Sequence, residues 1–63
     1  MKLKDLKVGD MIRYQFEGGN KRIGIIIKLN KKVNSIYPVK VTSPITNISQ
    51  LLMQIEIIEK IEN

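Results

Sequence analysis

"RIGIIIKLNKKVNSIYPVKV" (residues 22–41) holds two apolar runs separated by a polar, basic loop. Whether those runs pair as strands decides the fold. From Ile23 the alternate set is Ile23, Ile25, Ile27 and Leu29, which the pattern assigns to the interior. Arg22, Gly24, Ile26 and Lys28 form the outward set, with Ile26 as its one large apolar member. Gly24 inside such a run marks a bend or a bulge. Asn30, Lys31, Lys32, Val33, Asn34 and Ser35 make the loop. Beyond it Tyr37, Val39 and Val41 alternate with Ile36, Pro38 and Lys40. Pro38 donates nothing to a ladder, so it belongs at a strand start, an edge or a bulge. The reading is two strands with a shared apolar face. On that phase Ile25→Asp buries an unpaired charge and unfolds the domain.

Upstream, Ile12, Tyr14 and Phe16 alternate with Met11, Arg13 and Gln15, the period of a half-buried strand. Gly9 and Asp10 form a turn pair before it. Residues 3–8 read as irregular chain or a short strand. Glu17, Gly18, Gly19 and Asn20 close a hairpin, because glycine tolerates positive φ. Downstream the pattern is ambiguous. Ile48, Leu51, Leu52, Ile55 and Ile58 have the spacing of an amphipathic helix, and Asn47 with Gln50 resembles a capping box. Ile55, Ile57, Ile58 and Ile61 are β-branched, which suits a strand. A short helical turn near residues 48–53 with a final strand over 55–60 is one solution. A continuous helix is the other.

Sixty-three residues form one domain, 1–63, whose folding buries only roughly 60% of the unfolded chain's surface. No cysteine is present, which fits a reducing, cytoplasmic setting without disulfides. The first residues carry no apolar signal core, and no run reaches the roughly 18 to 20 apolar residues that span a bilayer. A membrane role is therefore not expected. Asn47-Ile48-Ser49 is read as a chance match to a glycosylation acceptor.

The net charge of +5 is uneven: residues 1–40 sum to +7 and residues 41–63 to −2. Arg13, Lys21, Arg22, Lys28, Lys31, Lys32 and Lys40 are the candidate contacts for an acidic protein partner, a larger assembly or nucleic acid. Met11, Ile26 and Ile36 are the apolar contact candidates on the outward phase. Isoleucine, lysine and asparagine make 26 of the 63 residues, all with AT-rich codons. An AT-rich genome would raise the lysine content with no functional reason, which weakens the charge argument.

Catalysis is disfavoured by residue type. Ser35, Thr42, Ser43, Thr46 and Ser49 have no histidine to activate them, and the chain lacks imidazole and thiolate metal ligands. Glu56, Glu59 and Glu62 read as a solvated fringe. Gly18-Gly19 lacks the lysine and hydroxyl of a phosphate loop. No enzyme activity and no cofactor are expected. Tyr14, Phe16 and Tyr37 all take the inward phase, so no aromatic platform for bases is expected either.

The whole pattern resembles the SH3-like small barrels: all-β, about five antiparallel strands, with a short helical turn before the last. Gly9-Asp10 with Arg13, Gly24, Tyr37-Pro38-Val39 with Val41, and Thr46-Asn47 before Ile55-Glu56 are similar to the photosystem I subunit IV family. The variable chain of ferredoxin–thioredoxin reductase shares that superfamily. The loops at Glu17-Gly18-Gly19-Asn20 and Thr42-Ser43-Pro44-Ile45 differ from the ones with which that family docks. Gly9-Asp10, Gly18-Gly19 and Lys21-Arg22-Ile23-Gly24-Ile25 are also similar to KOW-type barrels, which meet RNA or protein through loops. Small phage-encoded barrel proteins share the same general string. These resemblances imply a non-enzymatic protein-binding adaptor or accessory subunit, with a basic nucleic-acid-binding barrel as the alternative.

Overall fold

A computed structural model describes residues 3–30 and 36–61. It contains five strands: β1 (Met11–Gln15), β2 (Lys21–Leu29), β3 (Val39–Thr42), β4 (Ser49–Leu52) and β5 (Ile57–Ile61). They form one antiparallel sheet in the order β4-β3-β2-β1-β5. Two 3-10 turns, Leu3–Asp5 and Gln54–Glu56, are the only helical segments among the described residues. The all-β expectation holds, including the short turn before the last strand.

In β1 the period-two pattern acts as expected: Ile12 and Tyr14 are buried, and Phe16 packs against the same core. The hairpin to β2 turns at Gly18, whose φ is +75°, and the Gly19 amide donates to the Phe16 carbonyl (2.9 Å). Gly9, at φ +99°, lets its amide reach the Ile26 carbonyl (2.8 Å) while the Ile26 amide bonds to Asp10 O (2.9 Å).

The phase of β2 is the opposite of the one read from the sequence. Ile26 is 1% exposed, whereas Ile23 and Ile27 are each 42% exposed and Ile25 is half-buried. Cross-strand pairing explains this. Gly24 lies opposite Ile12, and Ile26 lies opposite Val41, both core residues. A slip of one residue would turn all of them to the other face. The three consecutive isoleucines satisfy either phase, so apolar content could not decide it. Gly24 does: a Cβ there would sit 3.0 Å from both Tyr14 Cε1 and Val41 Cβ. Its place is taken by the tyrosine ring, so Gly24 is a close-packing glycine of the core face. The irregularity comes later, between Ile26 and Lys28 on the β3 side. It leaves Ile27 unpaired and returns Leu29 to the core opposite Val39. Ile26 is therefore a core residue and leaves the set of apolar contact candidates.

β3 follows the expected alternation through Val39 and Val41, with Pro38 buried just before the strand. Tyr37, assigned to the interior from sequence, is 52% exposed. It precedes the strand, which begins at Val39. The C-terminal stretch keeps the final strand of the first solution, at Ile57–Ile61, but residues 49–52 form a strand in place of the expected helical turn. Residues 49–52 pair with β3, Thr42 opposite Ser49 and Val39 opposite Leu52. Of the helical-spacing set only Leu52 is buried; Ile48, Leu51, Ile55 and Ile58 are exposed. Asn47 is a turn residue with φ +63°, a conformation asparagine adopts more readily than most residues. The helical turn instead covers Gln54–Glu56, where the Met53 amide donates to Glu56 Oε1 (2.7 Å) and the Glu56 amide to Met53 O (3.0 Å).

The core comprises Leu6, Ile12, Tyr14, Ile26, Val39, Val41, Leu52 and Ile57, with Leu3, Phe16 and Leu29 at its margin. The sheet curls enough for the Tyr14 hydroxyl on β1 to donate to Gln50 Oε1 on β4 (3.2 Å), although two strands separate them in the sheet.

Candidate functional site

That curl opens a cleft at one end of the sheet. β2 is shared: positions 21–25 pair with β1, whereas only positions 25–29 carry pairing with β3. Among the described residues the first half of β2 thus has a strand on one side only. The β3–β4 loop, residues 43–48, stands off from it, and the space between is about 670 Å³. This lies within the roughly 300 to 1,000 Å³ typical of ligand sites.

One wall is Met11 from β1 with Lys21, Arg22 and Ile23 from β2. The other is the loop, chiefly Pro44, Ile45 and Ile48. Tyr14 and Gln50, joined by their hydrogen bond, also line the cleft. The loop is held by its own polar groups. The Ser43 amide donates to Ile48 O (3.0 Å) and the Asn47 amide to Ser43 O (2.9 Å). Ser43 Oγ accepts from the amides of Ile45 (3.3 Å) and Thr46 (3.4 Å). With its backbone satisfied this way, the loop presents Ile45 to solvent at 92% exposure. An isoleucine so placed adds nothing to the core.

The electrostatics are one-sided. None of the described lining residues is acidic. Among the described residues neither Lys21 nor Arg22 has an ion-pair partner. The described acids mostly serve elsewhere: Glu59 pairs with Arg13, Asp10 with Lys60 (3.5 Å), and Glu56 caps the 3-10 turn.

The structure therefore divides the sequence-derived candidates. Met11, Lys21 and Arg22 meet at the cleft. Arg13 is tied to Glu59 on β5 and leaves the free cationic set. Lys28 and Lys40 lie directly opposite each other on β2 and β3, away from the cleft. Ile36 is exposed beside Tyr37 and does not reach Met11's site. Lys31 and Lys32 lie outside the described residues. Sequence reading missed Pro44, Ile45 and Ile48, and it placed Ile23 in the core. The available signal was Ile45 within a Pro-Ile-Thr-Asn turn and Ile48 directly after it, apolar side chains where a loop needs none. No protein-family model matches the chain, and no curated protein or solved structure matches it at a significant level.

Proposed function

We propose that the chain is a non-enzymatic protein-binding adaptor or accessory subunit on a small SH3-like barrel, with the β2/loop cleft as its contact site. The observation that carries this is the pairing of an apolar lining (Met11, Ile23, Ile45, Ile48) with two cations, Lys21 and Arg22, that have no ion-pair partner among the described residues. Apolar side chains held in water by an ordered loop lower no folding energy, whereas burial against a partner removes them from solvent. The cations select acidic partners and steer them to the cleft. The barrel reading is supported by the strand order, by β5 returning to β1, and by the reach of Tyr14 to β4. Among the described residues no helix is long and apolar enough to cross a membrane. We place the protein in the cytoplasm on its lack of cysteine.

A second reading, nucleic-acid binding, draws on Lys28 opposite Lys40 and on the exposed Tyr37, which frees one aromatic ring for stacking. An array of short peptides separates the two, probed with the parent protein and with Ile45→Asp. The exposed Ile45 site keeps the variant folded. Acidic, apolar peptides should be retained by the parent and lost by the variant. Equal retention by both removes the cleft from the reading. Retention of DNA or RNA at about 50 mM salt that falls steeply by about 200 mM supports the nucleic-acid surface instead.

A further inference from the structure

Resting on the cleft as a protein-contact site, we infer that its occupant is an extended acidic peptide from another protein, which adds to the open edge of β2 as an antiparallel strand. The backbone carries the inference. Ile26 exchanges both of its main-chain bonds with the segment leading into β1, through Gly9 and Asp10. Along an antiparallel strand the bonding side alternates residue by residue. Gly24 and Arg22 therefore also turn to β1, while Ile25, Ile23 and Lys21 turn the other way. Ile25 meets Thr42 of β3. Among the described residues Ile23 and Lys21 have no strand on that side, and their N–H and C=O groups face the cleft. Such a row of main-chain groups is a template for an incoming strand.

The side chains then specify the strand. Directly opposed residues share a face and interact across the pair. The residue opposite Ile23 is apolar and shares that face of the sheet with it. The residue opposite Arg22 is acidic and shares the Tyr14 face, since Arg22 itself lies opposite Tyr14. The residue opposite Lys21 is acidic again. Read from its N-terminus, an antiparallel peptide thus carries apolar, acidic, acidic in succession. Ile45 and Ile48 supply apolar surface on its far side.

The test is a titration of the full chain, by fluorescence anisotropy and amide NMR, with a capped peptide containing Val-Glu-Glu between threonines. Amide shifts should concentrate at Lys21, Ile23 and the 45–48 loop. N-methylating the valine, or the second glutamate, removes a ladder donor and should weaken binding about tenfold. N-methylating the first glutamate, whose amide faces away, should leave affinity unchanged. Arg22→Glu should abolish binding, and replacing the first glutamate of the peptide by lysine should restore it. Equal binding by all three N-methylated peptides would overturn strand addition while leaving the cleft as a side-chain contact site. No binding by any peptide, with an oligonucleotide retained in a salt-dependent way, would overturn both.

Discussion

A valine scan along β2 tests the orientation on which the site depends. Isoleucine and valine are both β-branched, so Ile→Val leaves strand preference nearly unchanged and removes one carbon. At Ile26, 1% exposed and opposite Val41, that carbon leaves a gap in packed surroundings. The expected cost is about 1 kcal/mol, within the roughly 0.5 to 1.5 kcal/mol seen for buried isoleucines. In a domain of this size 1 kcal/mol lowers Tm by roughly 4 to 8 °C. At Ile23 and Ile27, each 42% exposed, the change should stay below about 0.5 kcal/mol. Ile26→Ala removes more, about 2 to 5 kcal/mol. The whole domain has only roughly 3 to 9 kcal/mol at typical stability per residue, so this variant loses much of its folded population. Urea unfolding followed by far-UV circular dichroism reads all of these, with an unchanged m-value as the check that only stability moved. A larger loss at Ile23 or Ile27 than at Ile26 would reverse the phase of β2, turn Lys21 and Arg22 to the other side, and refute the site.

Two further substitutions probe the elements that shape the cleft. Gly24→Ala places a methyl 3.0 Å from Tyr14 and Val41 and should cost about 1 to 3 kcal/mol in thermal unfolding. Glu56→Ala removes the acceptor of the Met53 amide and should cost about 1 kcal/mol by the same assay, with Glu56→Gln closer to the parent.

The sequence by itself determined β1, β2 and β3 as strands, the hairpin at Gly18, and the inward faces of β1 and β3. Each of those rests on a local signal: Met11–Gln15 alternates cleanly, and Val39 and Val41 have polar or proline neighbours. It also marked Met11, Lys21 and Arg22 as outward candidates. Tertiary structure decided what local pattern left degenerate. Ile25, Ile26 and Ile27 are equally apolar, so only the side chains across the sheet, Ile12, Tyr14 and Val41, choose which one enters the core. Helical spacing over residues 48–58 lost to pairing with β3, because a hydrogen-bonded partner strand outweighs a weak intrinsic preference. The cleft itself exists only in three dimensions. It arises because β3 pairs with β2 only from Ile25 onward, leaving the first half of β2 open on the side away from β1 among the described residues, and no single stretch of the chain carries that information.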